Sequence, residues 1–149
     1  MEFKPQIEKM TPKKKRTRRK KPANEYVDNV ELSKAVADYV IESNKAIDAG
    51  LEPKMISDYL ADCLLRINQG LSKAPNFSNY TYREDMVMDG VENCLKAICN
   101  YDIEKQTRSG KPNAFGYFTQ IAYYAFLRRI AKEKRQTQIK HKIIAQGSV

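Results

Sequence analysis

The sequence predicts an all-α protein, a small bundle of about four helices behind a disordered basic N-terminal tail. Three observations predict it. Apolar residues recur at three- and four-residue steps in four separate stretches, which is the stripe of a helix packed on one side. No stretch alternates convincingly with the period of two that marks a half-buried strand. Gly or Pro stands between the stretches, at Gly50/Pro53, Pro75 and Gly110/Pro112. With 149 residues, 42% of them hydrophobic, the chain can bury one modest core. The division read from these signals is a tail over 1–24, a helical domain over 25–142 and a short C-terminal tail over 143–149.

The tail carries Lys13-Lys14-Lys15-Arg16-Thr17-Arg18-Arg19-Lys20-Lys21 and almost no apolar residue after Met10. Like charges repel there, and nothing is available to bury. Leu32, Val36, Tyr39, Val40, Ser43 and Ile47 describe one stripe of a first helix that ends near Gly50. Pro53 then fits the first turn of a second helix, where its missing N–H costs nothing. Met55, Ile56, Tyr59, Leu60, Cys63, Leu64, Ile67 and Leu71 continue its period up to Pro75. The stretch 74–80 is turn chemistry with two aromatics, and Thr81-Tyr82-Arg83-Glu84 reads as a capping box. The third helix runs to about Asn100, its buried side made by Met86, Val87, Val91, Cys94, Leu95 and Ile98. Asp85, Asp89, Glu92, Asn93 and Lys96 fall on its other faces, which are mainly acidic. Asp102 to Asn113 has no periodicity and reads as a surface loop, with Asn113 placed to cap the fourth helix. That helix is apolar early (Ala114, Phe115, Phe118, Ile121, Ala122, Ala125, Phe126, Ile130) and basic from Arg128 onward.

Charge is polarised along the chain. Residues 1–22 hold ten Lys/Arg against two Glu, and residues 127–149 hold seven against one. Against a total of +9, the intervening body is acidic. Two basic ends around an acidic middle imply two kinds of partner, one of them a polyanion. There is no long apolar run and no lipidation or secretory signal, so the expectation is a cytoplasmic protein without a membrane partner.

The three cysteines, Cys63, Cys94 and Cys99, each lie in an apolar helical pattern and are expected as buried thiols. Together with the single histidine, His141, they match no zinc spacing. No Gly-rich phosphate loop and no nucleophile–base set is present, so neither an enzyme nor a cofactor is expected.

The fourth helix carries the functional signal. Tyr117, Tyr123, Tyr124 and Phe126 interleave with Arg128, Arg129, Lys132, Lys134 and Arg135. Aromatic faces stack on unpaired bases while Lys and Arg neutralise phosphates. Because Tyr123 and Tyr124 are adjacent, both cannot lie along the core stripe, and at least one should face solvent.

The stretch GLSKAPNFSNYTYREDMVMDGVENCLKAICNYD, followed after a loop by KPNAFGYFTQIAYYAFLRRIAKEKR, resembles the late-transcription sigma factors of T-even-type bacteriophages. More distantly it is similar to domain 2 of bacterial sigma factors. The similarity covers about Leu60 to Lys142 and is carried by the NFSxYT turn, the D-x-x-x-DG helix and the aromatic helix ending in basic residues. The resemblance implies a phage-encoded sigma factor acting in the infected bacterial host cell. It would bind the β′ coiled coil of the RNA polymerase core and direct initiation at AT-rich late promoters through a single upstream, −10-type element. It places Asp85, Met86, Asp89, Gly90, Glu92 and Asn93 in the polymerase-binding segment. Gln120, Tyr123, Tyr124, Arg128, Arg129, Lys132 and Arg135 fall in the promoter-binding one. A sliding clamp or a phage coactivator is a further partner of such factors, although residues 144–149 lack the hydrophobic and acidic segment that those factors use on the clamp. Cellular sigma factors carry tryptophans at the melting edge; with no Trp in this chain, Tyr123 and Tyr124 would supply that stacking surface. The alternatives are a polymerase-independent small basic DNA- or RNA-binding protein and a purely structural helical adaptor.

Overall fold

In a computed structural model, which describes residues 27–104 and 110–147, the chain is an all-α bundle of four helices with no strand among the described residues. They are α1 (Asn29–Asp48), α2 (Asp58–Ser72), α3 (Arg83–Ala97, followed by a 3-10 turn at Ile98–Asn100) and α4 (Ala114–Gly147). The basic segment 1–24 and residues 105–109 of the predicted loop lie outside the described residues.

α1 begins where Asp28 caps it, its carboxylate accepting from the amides of Val30 and Glu31. The expected stripe packs through Leu32, Val36, Val40 and Ser43, but Ile47 is half-exposed because the last turn runs past the end of the core. α2 starts later than Pro53 suggests. Ser57 is its cap, accepting from the Leu60 amide at 3.3 Å, and the preceding segment is irregular. That segment is tied back to α1 by the Tyr39 hydroxyl, which donates to the Lys54 carbonyl, and by the Lys54–Glu42 ion pair. Met55, expected in the stripe, is consequently exposed.

The capping box at Thr81 does not form. The cap position of α3 is Tyr82, without a side-chain hydrogen bond, and Glu84 and Asp85 in the first turn offset the helix dipole instead. Leu95 faces solvent rather than the core, and Cys99 is exposed while Cys63 and Cys94 are buried. The expectation of three buried thiols therefore fails at the one cysteine that sits in the 3-10 turn. The tighter winding there rotates Ile98 inward and carries Cys99 out.

The core has two parts. The larger joins Leu32, Val36, Leu60, Leu64, Cys94 and Phe118, drawn from all four helices. The smaller gathers Phe77, Met86, Val87, Phe126 and Ile130, where the α2–α3 connector folds onto α3 and α4. Asn68 is buried between them. Its amide donates to the Leu64 carbonyl at 2.8 Å, and its side-chain oxygen lies against Gly90. A Cβ at Gly90 would overlap that carboxamide and press on Phe126, so this glycine is a close-approach position where α2, α3 and α4 meet.

Candidate nucleic-acid interface

α4 is fixed at its start by three side chains. The first four amides of any helix lack partners within it. Here Asn113 accepts from the Gly116 amide at 2.9 Å, as the sequence predicts. Two residues of α1 complete the set: Ser33 accepts from Ala114 N–H and Asn29 from Phe115 N–H, both at 3.1 Å. Nothing local in the sequence of α4 signals these two partners, which lie more than 80 residues away. The result sets both the position and the rotation of α4 on the bundle.

With that rotation fixed, Ala114, Phe118, Ala122, Ala125, Phe126 and Ile130 turn inward. The opposite strip carries Gln120, Tyr124, Leu127, Arg128 and Arg135, all exposed. At about 100° per residue these positions share one sector of the helix. Tyr124 is 51% exposed and Tyr123 39%. Both tyrosines thus offer ring surface, more than the adjacency argument required. Tyr123 lies at the edge of the strip, its ring 5.6 Å from Phe77 and perpendicular to it within 16°, while Phe77 in turn packs edge-on against Phe126 at 5.2 Å. The connector's aromatic is therefore a support that holds Tyr123 in place, a role the sequence did not reveal. Tyr117, the first tyrosine of the helix, is different: it is half-buried and its hydroxyl donates to the Ala97 carbonyl at 2.8 Å.

Arg129 departs from the expected phosphate-binding set. Its guanidinium makes a two-pronged pair with Asp89 of α3, at 2.5 Å and 2.9 Å, and reaches Glu133 at 3.4 Å. The two side chains are only 20% and 28% exposed. The hydrogen bonds and charge of Asp89 hold the guanidinium well above its ordinary pKa, outweighing the opposing effect of burial. A phosphate could reach Arg129 only by displacing a bidentate carboxylate, so Arg129 clamps α4 to α3. Next to it Arg128 donates to Asn93 at 3.2 Å while staying exposed. Lys132 is exposed on the flank of the strip.

The acidic helix is redrawn by the same contacts. Met86 is fully buried and Gly90 is covered, so neither presents surface to a partner; they face α4 because the period of α3 puts them in phase with Cys94. Asp89 is committed to Arg129, and Asn93 donates to the Asp89 carbonyl at 2.7 Å. Asp85 and Glu92 remain exposed, Glu92 paired with Lys96 one turn on. Their exposed neighbours are Glu84, Met88 and Leu95, with Met88 59% exposed. The outer face of α3 is thus an apolar stripe flanked by carboxylates, and sequence periodicity could have located Met88 by its phase.

No protein-family model matches the chain, and no curated protein matches it. No helix among the described residues is long and apolar enough to cross a membrane. Among the described residues no group of three or more His, Cys, Asp or Glu is placed to hold a metal ion.

α4 does not end where the bundle does. Ile130 is its last buried residue, and 131–147 remain helical with every side chain exposed except the half-buried Glu133. The expected tail over 143–149 is helix up to Gly147.

Proposed function

We propose that the chain is a transcription-initiation specificity factor of the sigma type, encoded by a phage and acting on the RNA polymerase core of its bacterial host. In this reading the outer face of α3, with Glu84, Asp85, Met88, Glu92 and Leu95, docks on a polymerase helix of complementary basic and apolar character. The strip Gln120–Tyr124–Arg128–Arg135 with Tyr123 engages a single AT-rich, −10-type element as it melts. The observation that carries the reading is the pair of exposed tyrosines held on the same strip as two exposed arginines. Rings stack on bases that have left the duplex, and the cations track the strand. The separation of an acidic, partly apolar surface from a basic, aromatic one suits a protein that must hold protein and DNA at once.

The test is reconstitution. Purified protein is expected to co-purify with bacterial core polymerase and to direct start-site-specific transcripts from an AT-rich late promoter. Absence of any complex with core would sink the proposal. Replacing Asp85 and Glu92 together by Lys should weaken the polymerase complex and leave DNA contacts alone. Tyr124→Ala should impair opening more than recruitment, by about tenfold for one lost stacking contact, read as permanganate reactivity of promoter thymines. Normal opening by both Tyr123→Ala and Tyr124→Ala would remove the stacking role.

The exposed cations of 131–147, which are not confined to one strip, favour a second reading: a basic DNA- or RNA-binding protein that needs no polymerase. Salt-dependent binding without any polymerase effect would select it.

A further inference from the structure

Arg128 and Arg129 are neighbours in sequence, yet α3 holds them by different chemistry. Both precede the arm over 131–147, which buries no side chain among the described residues, and both still reach α3. Asp89 takes Arg129 with a carboxylate, two N–H donors on two oxygens, in a half-buried ion pair that consumes the cation. One turn further along α3, Asn93 takes Arg128 with a carboxamide. Arg128 Nη2 donates to Asn93 Oδ1 at 3.2 Å, and Arg128 stays exposed. The carboxamide is itself held, because Asn93 Nδ2 donates to the Asp89 carbonyl at 2.7 Å. These two neighbours fix which way round it sits, since a backbone carbonyl can only accept and a guanidinium can only donate. Asn93 is half-buried and turned toward α4, whereas the docking face proposed above runs through Glu84, Met88 and Leu95.

We propose that Asn93 is a positioning residue for the nucleic-acid strip: it aims Arg128 while leaving the whole of its charge for a phosphate. A guanidinium has five N–H donors, of which this contact uses one. A carboxylate in the same place would orient and neutralise it together, as Asp89 does to Arg129, and a phosphate would then have to displace an ion pair. A small apolar residue would do neither. Arg128 would then give up its rotamer freedom only on binding, which lowers affinity by about two- to tenfold for such a side chain. Arg128 stands one turn from Tyr124 on the same strip, so the phosphate it is aimed at belongs to the strand whose bases Tyr124 stacks. One carboxamide and one carboxylate on α3 thus divide two adjacent arginines between the ligand and the fold. This inference rests on nucleic-acid binding by the strip but not on the polymerase.

The experiment is fluorescence anisotropy with the full chain on a single-stranded oligonucleotide of A and T, over a range of salt. Asn93→Ala should lower affinity about two- to tenfold and leave the log–log salt slope as in wild type, because the charge is kept and only its aim is lost. Asn93→Asp, of nearly the same shape, should make the slope shallower by about 0.7, which is one phosphate contact on a single strand and about fivefold in affinity at 0.1 M salt. In an Arg128→Gln background both substitutions should leave affinity and slope where that background puts them. A merely structural role predicts the opposite pattern, a lowered thermal midpoint with the slope unmoved. Wild-type affinity in Asn93→Ala, an unchanged slope in Asn93→Asp, or losses that persist without Arg128 would each overturn the inference, the last by giving the effect to the fold or to the overall field of the protein. A chain that binds the strand but not core polymerase would sink the proposed function and leave these measurements standing. A chain that binds no strand at all would sink both.

Discussion

The two halves of α4 are built by different physics. Residues 114–130 are helical because an apolar stripe packs into the bundle and because Asn113, Asn29 and Ser33 satisfy the first amides. Residues 131–147 bury no side chain among the described residues and draw on propensity, with Ala, Lys, Arg, Glu and Gln filling most positions. One continuous helix thus has a half whose orientation is enforced by buried contacts and a half whose side chains, Glu133 apart, are exposed among the described residues. Contacts that need fixed ring geometry belong to the first, and contacts that need only charge and reach belong to the second.

The comparison can be broken most directly at the core. Phe126→Ala, which removes a fully buried ring packed on Phe77, should cost about 3–5 kcal/mol in urea unfolding. Ile139→Ala in the arm should stay within about 0.5 kcal/mol. Similar losses at the two sites would mean the arm is packed after all.

Next in size is the clamp. Asp89→Ala leaves the Arg129 guanidinium half-buried with only the longer contact to Glu133, and should cost about 1–3 kcal/mol. Glu92→Ala, which breaks an exposed pair on the same helix, should cost no more than about 0.5 kcal/mol. A double-mutant cycle over Asp89 and Arg129 measures the coupling; a value near zero would remove the clamp.

Burial of Cys94 pushes its thiol up to about 11, the sulfur lying 3.6 Å from the Phe118 carbonyl. Because the folded chain holds this proton to higher pH than the unfolded one, stability is unaffected by it below about pH 9. It then falls as pH rises toward 11, by up to about 1.4 kcal/mol per pH unit. Thermal midpoints of wild type and Cys94→Ala should converge across that window, since the variant lacks this slope. The smallest effect in energy is the sharpest in location. Amide exchange should be slow through 118–130 and faster by orders of magnitude in 134–147, where opening costs only local helix. Uniform protection along α4 would erase the distinction.

Much of this was legible in the chain. Periodicity gave four helices, Asn113 as a cap, the α4 core stripe and a basic C-terminal segment. It failed where the answer depends on which helix lies opposite. Pro53 suits a helix start, yet α2 waits for Ser57 because the preceding segment is tied to α1 through Tyr39 and Glu42. Asp89 and Arg129 each looked like surface charge, one for protein and one for DNA, but they pair with each other across 40 positions. Periodicity puts Met86 on the buried side of α3, and it is buried there beside Phe126; Gly90, which the resemblance places with it in the polymerase-binding segment, lies against Asn68.

The sequence by itself determined where helices form, where one is capped and which end of the chain is basic, because hydrogen-bonded turns and side-chain period are local properties. Tertiary structure alone decided the rotation of α4 and the point where it leaves the bundle. It thereby decided which cations face solvent and which are consumed in holding the fold. Those depend on contacts between residues far apart in the chain, and a charge carries no mark of the partner it will meet.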